Sequence, residues 1–131
     1  MATLITADDF FLAVIADLRL RNVETLAINS DLDQKFEKAY EEFSKGEKAG
    51  DYFTNFSFKT NPAHGDSKQF RETMYAARFN DIISLDNPTF FRLRIKLSEE
   101  EAKRFVSAFP QRDLIGKVVS DVFAPELLEN A

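Results

Sequence analysis

The chain has 131 residues, of which 44% are hydrophobic and 30% charged, and these proportions predict one folded domain and exclude an intrinsically disordered chain. The sequence contains no cysteine, which excludes disulfides, thiolate metal ligands and a cysteine nucleophile. The net charge of -5 argues against non-specific binding to nucleic acid.

The first part of the chain predicts two helices. Thr6 and Asp9 form the start pattern of the first, and Ser30 is the predicted start of the second. Their apolar stripes follow the helical repeat and comprise Phe11, Val14, Ile15 and Leu18 in the first helix, and Leu32, Phe36, Ala39, Tyr40 and Phe43 in the second. Residues 1–48 are therefore expected to form a helical hairpin.

The apolar run Phe10–Ala16 could be mistaken for a signal peptide or a membrane span. Two aspartates precede it, whereas a signal peptide would carry Lys or Arg there. The run is also too short to cross a bilayer. We therefore expect a soluble cytoplasmic protein that does not bind a membrane.

The middle of the chain changes to a repeat of two. Residues 52–59 alternate in the manner of a β-strand, and a loop rich in turn-forming residues follows. Ser67 is the predicted cap of a third helix that runs to about Arg78. Residues 82–85 and 90–97 then predict a hairpin around an Asn-Pro turn.

The last part of the chain predicts two more helices. Ser98 and Glu101 form a capping box before a helix that extends to Phe109. Residues 111–124 have helical spacing and are assigned to a helix, although their valines would also tolerate a strand. Residues 125–131 are expected to be a frayed acidic tail.

The predicted element order is ααβαββαα. Few strands, close together in sequence, favour an α+β fold in which a small antiparallel sheet of about three strands packs with helices. We expect residues 1–131 to form a single domain, with residues 51–124 supplying the sheet and its helices.

The sequence does not predict a catalytic site. The lone histidine, His64, lies beside Asp66 and Ser67 in one loop, and residues so close in sequence cannot easily face one another as a triad does. Clustered metal ligands are also lacking, so neither a metal nor a cofactor is expected. A carboxylate pair in a Phe-lined pocket leaves no spacing signature, and a small enzyme of that kind stays an alternative.

One loop could bind an anion. Gly65 and Ser67 precede a predicted helix, and Lys68 and Arg71 follow. Free N–H groups at a helix N-terminus, together with nearby basic side chains, favour negative charge. The spacing lacks a phosphate-loop pattern, so an ordinary Ser67 cap is the simpler interpretation.

A basic and aromatic surface is predicted on the sheet. If the predicted strands share one sheet, the face opposite the core carries Phe53, Lys59, Phe90, Arg92, Arg94 and Lys96. Such a face suits an acidic protein partner, or single-stranded nucleic acid. The same residues could equally be the solvated side of a strand, where Lys and Arg prevent edge-to-edge pairing.

The functional hypothesis is a non-catalytic interaction or regulatory module. We expect a homodimer, because aromatic residues such as Phe53 and Phe90 on an outer face suggest contact between chains. The alternatives are a nucleic-acid-binding regulator that uses the basic strand Phe90–Lys96, and the small carboxylate enzyme.

Overall fold

The computed structural model describes residues 2–85 and 92–129, and within them the predicted α+β class is confirmed. The helices are α1 (Ala7–Leu20), α2 (Ser30–Ser44), α3 (Lys68–Phe79), α4 (Glu99–Ala108), α5 (Arg112–Val122) and α6 (Ala124–Glu129), with a 3-10 helix at Lys45–Ala49. The strands are β1 (Thr3–Ile5), β2 (Thr25–Ala27), β3 (Tyr52–Thr54), β4 (Ile83–Leu85) and β5 (Arg92–Ile95).

The main sheet is antiparallel and has three strands in the order β2-β5-β4. The predicted strand at residues 52–59 is not part of it, because β2 occupies that place. β2 has three residues, too few to show a repeat of two in the sequence. Strand structure in 52–59 is limited to β3, and the backbone at Phe58 adopts a left-handed conformation with φ of 53°, which a strand does not accommodate.

A second, parallel sheet pairs β1 with β3. The sequence analysis did not predict β1. In this sheet Ile5 and Tyr52 are buried, whereas Leu4 lies opposite Phe53 and both are exposed. The small sheet therefore has one apolar pair turned toward solvent.

The core is built largely from phenylalanine. Its largest fully buried side chains include Phe10, Phe11, Phe36, Phe43, Phe58, Phe70 and Phe123. The rings of Phe36 and Phe70 stack with centroids 4.6 Å apart, which ties α2 to α3. In a chain without tryptophan, these rings supply the volume that the core needs.

The first two helices are integrated with the rest of the molecule. α1 packs against α3, α4 and α5, and α2 packs against α5 and α3. Buried residues of α1 and α2 belong to the same hydrophobic cluster as those of the sheet. The structure therefore places residues 1–48 within the common core.

Helix starts follow the predicted chemistry. The Ser98 hydroxyl accepts from the Glu101 N–H at 3.1 Å and the Glu101 carboxylate accepts from the Ser98 N–H at 3.0 Å, which confirms the capping box. Ser67 caps α3, as predicted. α2 is capped by Asn29, one residue before the predicted Ser30.

The C-terminal region is more ordered than predicted. Residues 111–124 are helical as assigned, but the expected frayed tail at 125–131 is wrong through Glu129, because α6 continues the chain. Glu126 forms an ion pair with Lys35 of α2, and Leu127 packs on the core. No helix among the described residues is both long and apolar enough to cross a membrane.

Candidate functional site

The outer face of the main sheet carries two arginines. Arg92 and Arg94 are exposed because the alternate residues of β5, Leu93 and Ile95, are buried. Arg94 lies between Thr25 and Ser84 on the neighbouring strands, and Arg92 lies opposite Ala27. We call this surface the arginine face, which comprises Thr25, Ala27, Ser84, Arg92 and Arg94.

The guanidinium groups of the arginine face are open. Within residues 2–85 and 92–129, neither Arg92 nor Arg94 forms a side-chain hydrogen bond or an ion pair. The cross-strand neighbours that the structure describes have short uncharged side chains, which cannot supply a counter-ion. Both groups can therefore bind a carboxylate in the bidentate manner that arginine favours.

Lys96 continues the same row but differs from the arginines. Its ammonium lies 2.8 Å from a carboxylate oxygen of Asp81. The hydrogen bond and the charge of Lys96 lower the pKa of Asp81. Both groups are well exposed, so water screens the pair and a partner could compete for it.

The other residues of the predicted binding surface are not brought together. Phe53 lies in the parallel sheet, and Lys59 is exposed beyond the end of β3. Phe90 lies outside the described residues. The prediction assumed one sheet for all three strands, and β2 replaces the strand that would have carried Phe53 and Lys59.

The predicted anion site at α3 holds an anion of the chain itself. The fully buried carboxylate of Asp33 accepts from the Ser67 N–H at 2.8 Å. It also accepts from Arg71, at 2.9 Å from Nε and 2.7 Å from Nη2. This hydrogen bond, together with the charge of Asp33, raises the pKa of Arg71.

Asp33 therefore occupies the place where the sequence allowed an external anion, and Ser67 is the helix cap that was the simpler interpretation. Of the other residues in that set, Lys68 is exposed and Gly65 supports the turn with φ of 76°. Arg71 acts in the architecture of the protein, since its carboxylate partner joins α2 to α3.

A polar cleft of about 480 Å³ lies beside the arginine face and shares Arg92 with it. Its described lining residues come from β2, the first turns of α2, β5 and α6, and they are Thr25, Leu26, Ala27, Asn29, Asp31, Leu32, Lys35, Arg92, Glu126 and Glu129. The sequence did not predict this cleft, because it depends on β2 and α6, two short elements with no clear repeat.

The residues considered as a catalytic or metal site in the sequence are not brought together among the described residues. His64 is exposed, whereas Ser67 is buried as a helix cap. No group of three His, Asp or Glu side chains among the described residues is placed to hold a metal ion. A groove of about 180 Å³ beside Phe105 and Phe109 has Asp9 as the sole carboxylate among its described lining residues, so it does not present a facing acid pair.

No family model matches the chain, and comparison with curated proteins and with solved structures gave no match either. The geometry of the arginine face and of the adjoining cleft is therefore the basis for assigning a function.

Proposed function

We propose that the chain is a non-catalytic cytoplasmic interaction module that binds an acidic partner protein on its arginine face. The observation that carries the proposal is that Arg92 and Arg94 are exposed and have neither a counter-ion nor a long neighbouring side chain among the residues that the structure describes. A carboxylate bound there gains charge-assisted hydrogen bonds that water screens only in part.

An acidic protein segment fits this surface better than a nucleic acid does. A nucleic acid extends its negative charge over many residues, and Asp31, Glu126 and Glu129 line the cleft next to Arg92. Single-stranded nucleic acid also needs aromatic side chains on which its bases stack, and none of the arginine-face residues that the structure describes is aromatic. A protein partner needs to present only a few carboxylates at the two arginines.

The proposal is tested by measuring the fluorescence anisotropy of a labelled oligoglutamate mixed with the protein. We expect Arg92→Ala combined with Arg94→Ala to lose most of the affinity, and the affinity of the parent to fall as NaCl rises from about 50 to about 300 mM. Lys38→Ala combined with Lys48→Ala is the matched control. It removes the same charge from exposed sites outside the sheet and should bind nearly as well as the parent.

Equal loss of affinity in both double variants would show that net charge, and not the arginine face, attracts the probe. An oligothymidylate of matched charge is measured in parallel. If it binds more tightly than oligoglutamate and depends on Arg92 and Arg94, the alternative of a nucleic-acid-binding regulator replaces the proposal.

We also propose that the chain forms a homodimer through its parallel sheet. Leu4 and Phe53 are paired across β1 and β3, and 40% and 48% of their surfaces are exposed. If the Leu4–Phe53 pairs of two chains pack against each other, the four side chains are removed from water. Sedimentation should show a dimer at tens of micromolar that Phe53→Ser dissociates; a parent that sediments only as a monomer contradicts this proposal.

A further inference from the structure

The outer edge of β2 has unpaired backbone groups. Glu24 accepts a hydrogen bond from the Ile95 N–H at 2.8 Å, so Glu24 and Leu26 are the residues that bond to β5. In an antiparallel pair the alternate residues of the strand point their N–H and C=O groups the other way. Those residues are Thr25 and Ala27, which form no backbone hydrogen bond on that side with any residue that the structure describes.

This edge opens into the polar cleft. Thr25 and Ala27 are exposed, and both line the cleft, together with residues of α2 and α6. A strand edge that lines a cleft is an arrangement in which an extended peptide can add to a sheet. The peptide gains main-chain hydrogen bonds from the strand, and its alternate side chains meet different surfaces.

We propose that an extended segment of the acidic partner adds to the main sheet as a fourth strand, along the outer edge of β2. This inference rests on the proposed function and specifies how the partner is held. Thr25 and Ala27 supply the backbone hydrogen bonds, while Arg92 and Arg94 bind carboxylates of the added strand.

The charges select one pattern of side chains in the added strand. The strand would lie about 10 Å from β5, two strand spacings away, a distance that arginine and glutamate side chains bridge when they lean toward each other. The short side chains of Thr25 and Ala27 leave that path clear. The intervening side chains of the added strand would face Asp31 and Glu129 in the cleft, where further acids are repelled.

The bound segment therefore carries acids at every second position, with uncharged residues between them. We compare two labelled peptides of equal composition, one alternating Glu and Thr and one with its Glu and Thr in separate blocks. The alternating peptide should bind about tenfold more tightly. In the block peptide, every second acid points toward the cleft and makes no contact with Arg92 or Arg94. Equal affinity for the two peptides contradicts the inferred pattern.

Backbone pairing is tested on the peptide, so that the fold of the protein is untouched. N-methylation at one set of alternate residues should weaken binding about tenfold per group, the scale of a lost hydrogen bond with its steric clash, and methylation at the other set should have little effect. On the protein, Ala27→Pro removes an outward N–H that β5 does not use and should also weaken binding. If methylation at the two sets of alternate residues weakens binding equally, strand addition is overturned.

These outcomes separate the inference from the proposed function. If methylation has no effect and the block peptide binds equally well, but Arg92→Ala with Arg94→Ala still abolishes binding, strand addition fails and the acidic-partner function stands. If the arginine variant binds both peptides as the parent does, the proposed function fails. If Ala27→Pro instead dissociates a dimer of the protein in sedimentation, the edge of β2 binds a second copy of the chain and the inference is overturned.

Discussion

Two regions of this molecule present arginine, and they differ in where the counter-ion comes from. At the start of α3, Arg71 binds Asp33, a carboxylate from α2 that is fully buried. On β5, Arg92 and Arg94 have no such partner among the described residues. The chain itself supplies the counter-ion in the first, closed region, and no described residue supplies one in the second, open region.

The comparison shows that a basic residue acquires its role from long-range packing. Asp33 and Arg71 are 38 positions apart in the sequence, and they meet because the rings of Phe36 and Phe70 stack between their helices. The described strand neighbours of Arg92 and Arg94 contribute Thr25, Ala27 and Ser84, none of which can neutralise a guanidinium. The same type of side chain thus supports the fold in one place and has no partner among the described residues in the other.

The largest expected loss of stability comes from removing Arg71, the cation of the closed region. Arg71→Ala leaves the buried Asp33 carboxylate with the Ser67 N–H but without its cation, and should lower the free energy of unfolding by about 3–5 kcal/mol. Urea denaturation measures this. Lys68→Ala, an exposed neighbour, is the control and should change stability by less than about 0.5 kcal/mol. Similar small losses in both variants would mean that Arg71 is not held by Asp33.

Removing the helix cap should also cost more stability in the closed region than in the open one. Ser67 is fully buried and caps α3 beside Asp33, whereas Ser98 is exposed and caps α4 after β5. Ser67→Ala should cost about 2 kcal/mol and Ser98→Ala about 0.5–1 kcal/mol, because only the first leaves a donor out of reach of water. Thermal unfolding compares them. The reverse order would show that burial does not decide the strength of these caps.

A third arginine, Arg21, pairs with a buried aspartate, Asp17, whose contribution to stability should depend on pH. Asp17 is buried beside Arg21, and burial raises the pKa of Asp17 although Arg21 partly opposes the shift. The folded state therefore holds a proton that the unfolded state releases, so the contribution of Asp17 to stability falls as pH rises from about 4 through its folded pKa. Asp17→Asn should lack this decrease. Parallel urea titrations across that range test the sign, and a parent that gains stability relative to the variant contradicts it.

The smallest effect is expected in the open region. Arg92→Ala and Arg94→Ala should each change the free energy of unfolding by about half a kcal/mol or less, because the side chains are exposed and have no partner among the described residues. Circular dichroism during urea denaturation measures the change. A double variant that unfolds would place both arginines in the architecture, and would remove the contrast with Arg71.

The sequence predicts the long elements well because their repeats are local. The capping residues Thr6, Ser67 and Ser98 and the apolar stripes of their helices lie close together along the chain, so the α+β class followed from them. β1, β2 and α6 were missed, since three to six residues are too few to show a repeat. These short elements are stabilised by pairing and packing with distant segments.

The candidate site was predicted in part for the same reason. Alternation along β5 correctly placed Arg92 and Arg94 on the exposed side, because a strand has two faces and Leu93 and Ile95 occupy the buried one. The sequence could not show that β2 would be the neighbour of β5, so it grouped Phe53 and Lys59 with the arginines. It also could not show that Asp33 would supply the anion for Arg71.

The most direct test of the difference between open and closed arginines is one nuclear magnetic resonance titration. A heteronuclear correlation spectrum of isotope-labelled protein resolves the Nε–H groups of arginine, and oligoglutamate is added in steps. The account predicts progressive shifts for Arg92 and Arg94, while Arg71, already bound to Asp33, keeps its position. Equal shifts for Arg71, or no shift for Arg92 and Arg94, would contradict it.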